Sequence, residues 1–445
     1  MAVLYPTFVS GIFKGEKQMK KTLCLTVGVV MMVGTLALAN GSKPEPYKAA
    51  AAPVAADTGL EISGHVFSGA GWQRFKTTTT APTTVGQDVN GTYPGVIGEY
   101  ADTTNASITA ANKEDVFKFF VDEFEVDLAK SFGENIRVRA DLDFGSETME
   151  SGPRFTNGSG TGDGVGTLVE QAYATANIPV GNGMEFLLGR FNAPMGFESN
   201  DVVSNSTISR SIIYRALRPH TFTGMKVYYA FSDMIDWHFY VVNSGLIYDD
   251  GDAINTNTDI PGFGTRLGFH WGEEGKQSHV ALNGAVGQDH PTVPSGIKRH
   301  MSFLGDLDFN WWATDNFAVG GEAIYRQIDD SVGVNRNGKY LGGLLNLQYD
   351  FSDVWDGTLR YSYAHDVNGP LAGRSVTNLA SGAAQSLTGA VAGGQQLHEI
   401  ALATNYTITD GAKLRLEGGY TYIDPSGASN NQHVFGFGGG FAYEF

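Results

Sequence analysis

Residues 123–144 read EFEVDLAKSFGENIRVRADLDF, and polar and apolar side chains alternate through both halves of this stretch. Successive side chains of a β-strand point to opposite faces, so each half predicts a strand with one apolar and one charged face. The short connection Ser131–Glu134 between them predicts a hairpin. In a soluble sandwich the apolar face would form the core, whereas in a membrane barrel it faces lipid and the charged face lines a wet lumen. The hairpin alone leaves both interpretations open.

The same alternation continues through sixteen candidate strands, an even number, as far as the C-terminus. They lie near 60–75, 115–130, 135–145, 168–178, 184–191, 222–231, 234–243, 263–271, 277–287, 299–312, 316–328, 339–351, 354–366, 396–409, 412–423 and 432–445. Their connections alternate between short ones, such as Ser232-Asp233, and long ones rich in Gly, Thr, Asn and Ser. Bacterial outer-membrane barrels have short periplasmic turns and long extracellular loops. The sequence therefore predicts an all-β fold, a transmembrane antiparallel β-barrel of about 16 strands over residues 60–445, with an inserted loop at 192–221.

Aromatic residues favour a lipid-facing surface and mark the last strand. Trp237 and Phe239 fall on the apolar face of their strand, as expected of an interfacial girdle. The chain ends GFAYEF, with aromatic residues at Phe441, Tyr443 and Phe445. A terminal Phe with this spacing resembles the signal that the barrel-assembly machinery reads. That machinery, outer-membrane lipid and lipopolysaccharide are therefore predicted partners.

The N-terminus has the three parts of a secretory signal peptide. Lys20 and Lys21 precede an apolar run that closes with Ala37-Leu38-Ala39. Residues 1–39 are predicted to be an extension and a cleaved signal peptide that starts at Met19, and the Pro/Ala-rich residues 40–59 a flexible periplasmic segment. A membrane anchor is the alternative, but the run is short and ends in a cleavage-type tripeptide. The single cysteine, Cys24, lies inside the run, so we expect neither disulfides nor thiolate metal sites in the exported chain.

Charge and motifs argue against several classes of function. The net charge of −17 disfavours nucleic acid as a partner, since phosphate binding needs a basic face. His398-Glu399 lacks a second histidine at position 402, so no zinc-protease motif is present, and we predict that the protein is not an enzyme. The acidic loop 249–259 could offer oxygen ligands to Ca²⁺, but it lacks the spacing of an EF-hand, which favours a solvated loop. No metal and no cofactor are predicted.

Residues 186–227 carry a family resemblance. Gly189-Arg190-Phe191, Pro194-Met195-Gly196-Phe197-Glu198, Ser209-Arg210-Ser211 and the His220–Gly224 segment resemble the corresponding motifs of the OmpL-like β-barrel porins of Gram-negative outer membranes. The resemblance implies a channel-forming barrel in the cell outer membrane. It does not by itself imply a solute.

The third long connection, 192–221, holds the candidate constriction of the channel. By analogy with classical porins, this loop is expected to fold into the barrel. A basic cluster facing two acidic residues would then select ions by charge and give an anion preference. Alternatively, the arginines bind lipopolysaccharide phosphates or pair with acidic residues to hold the loop. The predicted constriction residues are Arg210, Arg215, Arg218, His220, Glu198 and Asp201.

The wall of the lumen holds a second set of charges. Hairpin register is expected to place Arg137 and Arg139 opposite Glu125 and Asp127. These pairs could form a basic ladder that touches permeating anions, or cross-strand ion pairs that hold the wall. Lys226 completes the predicted lumen wall.

Two hypotheses of function follow. The first is a porin, a water-filled channel for passive diffusion of small hydrophilic solutes or ions, since sixteen-stranded porin barrels enclose an aqueous lumen. The second is a structural or interaction barrel that sheaths a partner, such as a periplasmic electron carrier, or displays adhesive loops. The chain has no Cys-x-x-Cys-His motif, so any haem would belong to the partner. A homotrimer is expected from the size of the barrel alone.

Overall fold

Sixteen antiparallel strands form a closed barrel in the computed structural model. The structure describes residues 59–77, 114–145, 166–243, 260–273, 276–288, 301–328, 338–366, 395–425 and 432–445. The strands are β1 Glu61–Thr77, β2 Glu114–Phe132, β3 Ile136–Gly145, β4 Gly166–Ile178, β5 Met184–Asn192, β6 Thr221–Ser232, β7 Ile235–Val242, β8 Gly262–Trp271, β9 Ser278–Gln288, β10 Met301–Trp312, β11 Phe317–Ile328, β12 Gly338–Ser352, β13 Trp355–Asp366, β14 Gln395–Thr409, β15 Ala412–Pro425 and β16 Gln432–Glu444. The predicted fold class and strand number are therefore confirmed.

Each strand pairs with its neighbours in sequence, and β1 pairs with β16 to close the sheet. At the closing seam, the backbone N–H of Gly64 donates to the carbonyl of Phe445 at 3.1 Å, and the N–H of Phe445 donates to Gly64 at 2.9 Å. Closure matters because every backbone polar group inside a bilayer must find a partner within the protein. No helix in the described part of the chain is long and apolar enough to cross a membrane.

Side chains alternate between the two faces of the wall, as the period of two predicts. On β7, Ile235 is exposed and Trp237 and Phe239 are partly exposed, whereas Asp236 and His238 are buried inside the barrel. Large apolar side chains with high exposure recur on the same outer face of other strands, including Leu188, Leu267, Leu282, Phe303 and Leu402. The outer surface is thus an apolar band and the inner surface is polar, which is the reverse of a soluble barrel.

The connections separate into a short-turn end and a long-loop end of the barrel. The shortest turns, 233–234, 353–354 and 410–411, lie at the first end. The alternation in length has one exception, because the connection 426–431 at the long-loop end is no longer than the turn 272–277. The predicted loop 192–221 is also slightly shorter, at 193–220, because Asn192 and Thr221 already pair as strand residues. The predicted signal peptide and the acidic loop 249–259 lie outside the described residues.

Candidate functional site

The connection between β5 and β6, residues 193–220 and hereafter the inner loop, lies inside the barrel. It contains a 3-10 turn, Val202–Ser204, and a π-helical turn, Ile213–Leu217. Its polar groups bond to inward-facing side chains from many strands, on different sides of the wall. These partners are Glu123 on β2, Glu170 on β4, Glu322 and Arg326 on β11, Asn346 on β12, Arg360 on β13, Glu399 on β14, and Arg415 and Glu417 on β15. The inner loop therefore crosses the lumen.

Four wall carboxylates accept backbone N–H groups of the inner loop. Glu123 accepts from Val202 at 2.6 Å, Glu322 from Phe197 at 2.8 Å and Glu399 from Ile212 at 2.7 Å. Glu417 accepts from Ile208 at 2.5 Å and from Ser209 at 3.2 Å. An irregular loop cannot satisfy its own amides by a ladder of hydrogen bonds, and buried unpaired amides are costly. The wall thus supplies the acceptors that the loop lacks.

Three wall arginines bind the loop's carbonyls in the same way. Arg326 donates to the carbonyl of Leu217 at 3.0 Å. Arg415 donates to the carbonyls of Val202 at 2.8 Å, Asn205 at 2.5 Å and Thr207 at 3.1 Å. Arg360 donates to the Ser209 carbonyl and to Glu198 Oε1, the latter at 2.6 Å. A guanidinium presents five donors in a fixed fork, so each arginine fixes more than one point of the loop.

One side of the inner loop is apolar and packs against the wall. Ile212, Ile213 and Leu217 are fully buried in a cluster that includes inward residues of β12 such as Tyr340 and Leu344. Burying a side chain of this size contributes about 1.5–3 kcal/mol. Gly342 on β12 permits the contact, because a Cβ at this position would collide with Ile213 and Leu217. This part of the barrel interior is therefore packed as a core.

The predicted constriction arginines lie within the inner loop and bond to its own backbone. Arg210 donates to the Asn200 carbonyl, and Arg218 donates to the carbonyls of Met195 at 3.0 Å and Glu198 at 2.6 Å. Both guanidinium groups lie over the ring of Tyr214, at 5.0 and 4.6 Å. The side chain of Arg215 is outside what the structure describes. For Arg210 and Arg218 these contacts match the alternative in which the arginines hold the loop.

The other predicted constriction residues also contact the loop or wall. Glu198 accepts the backbone N–H of Ser211 and pairs with Arg360, while Asp201 lies beside wall carboxylates of β2 and β4. His220 stacks on Tyr214, and its Nε2 is 2.7 Å from the Tyr214 carbonyl oxygen. Burial, and then the charge of Arg218, lower the pKa of His220 to about 3. His220 is therefore neutral at physiological pH and adds no positive charge.

The wall charges occupy a register different from the predicted one. Arg139 lies opposite Ala129 and Arg137 opposite Ser131, so the expected register, with the two arginines opposite Glu125 and Asp127, was wrong. The turn after β2 sets this register, with its first residue, Gly133, at a φ of +65°. Arg139 still reaches Asp141 at 2.7 Å and, diagonally, Asp127 at 3.1 Å, and Arg137 pairs with Glu61 of β1 at 2.6 Å. Both arginines form the cross-strand pairs of the second interpretation; contact with anions stays a prediction.

Lys226, the remaining wall residue, is buried on β6, with its Nζ 5.2 Å from the centre of the Phe191 ring. The wall anchors Arg360, Arg415, Glu399 and Glu417 were not among the residues predicted from the sequence. Their alternation marks them as inward-facing, but no local pattern shows that they meet a loop more than 140 residues away in the chain.

The barrel resembles solved outer-membrane proteins. The outer membrane channel DcaP of Acinetobacter baumannii is 11% identical with a TM-score of 0.52, over 87% of this chain and 97% of that chain. An anion-selective porin from Comamonas acidovorans is 10% identical with a TM-score of 0.52, over 87% of this chain and 99% of that chain. At these identities the likeness concerns the fold. A family model described as "Putative beta-barrel porin-2, OmpL-like" matches residues 59–445, and no curated protein matches the chain.

Proposed function

Since the chain belongs to the OmpL-like β-barrel porin-2 family, we propose that it is a channel for passive diffusion of small hydrophilic solutes and ions, narrowed by the inner loop. The family and the fold place the protein in the outer membrane and confirm the resemblance seen in residues 186–227. They also suggest a channel with no enzymatic role. A sixteen-stranded barrel is wide enough to hold an aqueous passage, so the width of that passage depends on what lies inside it.

The observation that carries the proposal is the double anchoring of the inner loop. Wall carboxylates hold its amides and wall arginines hold its carbonyls, so the loop occupies one defined position in the lumen. A loop fixed in this way limits the size of permeating solutes. It also leaves less room for a partner protein inside the barrel, which disfavours the sheath hypothesis.

An anion preference of the channel is also proposed. Arg210 and Arg218 are engaged with loop carbonyls, so an anion preference carried by the inner loop rests on Arg215. Arg215→Ala should then shift the reversal potential in a salt gradient toward cation preference. Arg218→Ala serves as the matched control within the loop, and its effect should fall on stability. Equal reversal potentials for Arg215→Ala and the unmodified protein would remove the loop arginines from the selectivity filter.

Conductance is the primary test. The barrel, refolded from denaturant and inserted into planar bilayers, should give discrete conductance steps, and liposomes that contain it should swell in small sugars and not in large ones. Protein that is folded by its circular dichroism but gives neither steps nor swelling would rule out the channel. The homotrimer stays a prediction, and native mass spectrometry of the detergent-solubilised protein tests it.

A further inference from the structure

Carboxylate side chains converge at one sector of the lumen wall, where β2, β3 and β4 meet the inner loop. Glu125 on β2, Glu170 on β4 and Asp201 in the loop each offer an oxygen, and these atoms all lie within 4.8 Å of one another. Asp143 on β3 lies directly opposite Glu125 in the strand register. We call these four residues the carboxylate cluster. Glu125, Asp143 and Glu170 are at most 4% exposed.

The neighbouring carboxylates on the same strands are compensated by partners. Glu123 accepts from His65 at 2.8 Å and from the Val202 amide at 2.6 Å. Arg139 reaches both Asp127 and Asp141. Each of these three neighbouring carboxylates therefore has a basic side chain or a backbone amide as a partner.

Two oxygens in the carboxylate cluster lack such a partner. Among the described residues, Glu125 Oε2 and Asp143 Oδ1 are buried and accept no hydrogen bond. For Glu125, the approach of His65 Nδ1 to the other oxygen is 3.9 Å, too long for a hydrogen bond. Burying an ionised carboxylate without compensation costs several kcal/mol, and like charges this close add repulsion. The cluster therefore needs either bound protons or a cation to neutralise it.

The chemistry of the cluster fits a hard divalent cation. All donors are carboxylate oxygens, which Ca²⁺ and Mg²⁺ prefer, with no thiolate or imidazole among them. Ca²⁺ lies about 2.3–2.6 Å from its oxygen ligands, so oxygens around one ion fall within roughly 5 Å of one another. The oxygens of Glu125, Glu170 and Asp201 are close enough to one another to share one ion. Mg²⁺ demands a more regular octahedron, whereas Ca²⁺ accepts irregular sets.

We propose that Glu125, Glu170 and Asp201, with Asp143 beside them, bind one Ca²⁺ ion inside the barrel. Asp201 belongs to the inner loop and the other three residues to the wall, so the ion joins the loop to β2–β4. These wall strands differ from β13 and β15, from which Arg360 and Arg415 hold the loop. The ion is thus a further anchor of the loop, and its binding does not depend on whether the barrel conducts.

Equilibrium dialysis against radioactive Ca²⁺ tests the proposal. The full barrel is refolded from inclusion bodies, which removes lipopolysaccharide as a source of bound calcium, and is then freed of metal with a chelator. We expect one Ca²⁺ per chain with a Kd of about 0.1–1 mM, the range of extracellular calcium modules, and a higher midpoint of urea unfolding when Ca²⁺ is present. Mg²⁺ should bind at least tenfold more weakly.

Variants locate the site. Glu125→Gln, Asp201→Asn and Glu170→Gln should each weaken Ca²⁺ binding at least tenfold. If Glu125→Gln does not fold, Glu170→Gln takes its place in the test. Glu185→Gln is the matched control, because Glu185 is a wall carboxylate of the adjacent strand β5 outside the cluster. In metal-free buffer, Glu125→Gln should unfold at the same urea concentration as the unmodified protein or a higher one, since it removes an uncompensated charge. No saturable binding up to about 10 mM Ca²⁺, or equal binding by Glu125→Gln and the unmodified protein, would overturn the proposal.

Discussion

Arg360 on β13 and Glu198 in the inner loop form a buried ion pair, with Nη1 and Oε1 2.6 Å apart. Neither side chain is more than 3% exposed. Glu198 also accepts the Ser211 amide at 3.1 Å, and Arg360 donates to Thr207 Oγ1 at 2.7 Å. One pair of residues thus connects the wall to three separate points of the loop.

Arg360→Met should release the inner loop. The substitution leaves Glu198 buried without its cation, and breaking one partner of a buried pair costs about 3–5 kcal/mol. We expect a lower urea midpoint for the refolded barrel and a larger single-channel conductance in planar bilayers. Arg137→Met is the control, since its pair with Glu61 is partly exposed and such pairs contribute about 1 kcal/mol or less. An Arg360→Met channel with unchanged conductance would mean that the loop does not limit permeation.

Gly342→Leu should displace the π-helical turn of the inner loop. A Cβ at this position would collide with the Ile213 side chain and lie 2.6 Å from Leu217 Cδ1. Overpacking of this kind costs about 1–3 kcal/mol. Gly343→Leu is the matched control on the next residue, where an added Cβ would meet nothing closer than the Glu322 carbonyl at 3.9 Å. Larger conductance and a lower urea midpoint for Gly342→Leu alone would confirm the contact, and equal effects of both substitutions would contradict it.

The wall of the barrel could be predicted because a strand is a local structure. The polarity of each residue of β3 indicates whether its side chain faces the lumen or the outside of the barrel. Short polar segments mark the turns. The register could not be predicted from the same pattern. A shift of two residues keeps every side chain on its face, and only the turn around Gly133 decides that Arg139 lies opposite Ala129.

The position of the inner loop depends on contacts that are distant in sequence. Ile208 and its partner Glu417 are separated by 209 residues. The charge of Arg210 and Arg218 could be read from the sequence, but the direction of their guanidinium groups could not. That direction depends on the loop's own carbonyls, which become acceptors only after the loop has folded.

Lowering the pH should reduce the stability of the folded barrel, partly through His220. The pKa of His220 is lowered by burial to about 3 in the folded protein, against about 6.5 in an unfolded chain. Below pH 6.5 the unfolded chain therefore takes up a proton that the folded chain does not, and stability falls by up to about 1.4 kcal/mol per pH unit until the folded pKa is reached. His220→Gln should remove this contribution and keep a donor toward the Tyr214 carbonyl.

The measurement is the change in urea midpoint between pH 7.5 and pH 5 for the two proteins. The carboxylates of the wall titrate in both, so their contribution cancels in the comparison. We expect the smaller loss of stability in His220→Gln. Parallel pH profiles would show that His220 is protonated without cost in the folded barrel.

Phe445→Ala should impair assembly in the cell without destabilising the finished barrel. The Phe445 side chain is 51% exposed, while the bonds that close the seam with Gly64 come from its backbone and survive the substitution. The substitution removes apolar contact with lipid or detergent but no hydrogen bond of the seam. We therefore expect normal refolding in detergent and a severalfold lower amount of the variant in the outer membrane.

Phe437→Ala, on the same face of β16 and 57% exposed, is the control and should assemble normally. Failure of Phe445→Ala to refold in detergent would assign the residue to the stability of the seam, and normal levels in the outer membrane would show that the assembly machinery does not read it.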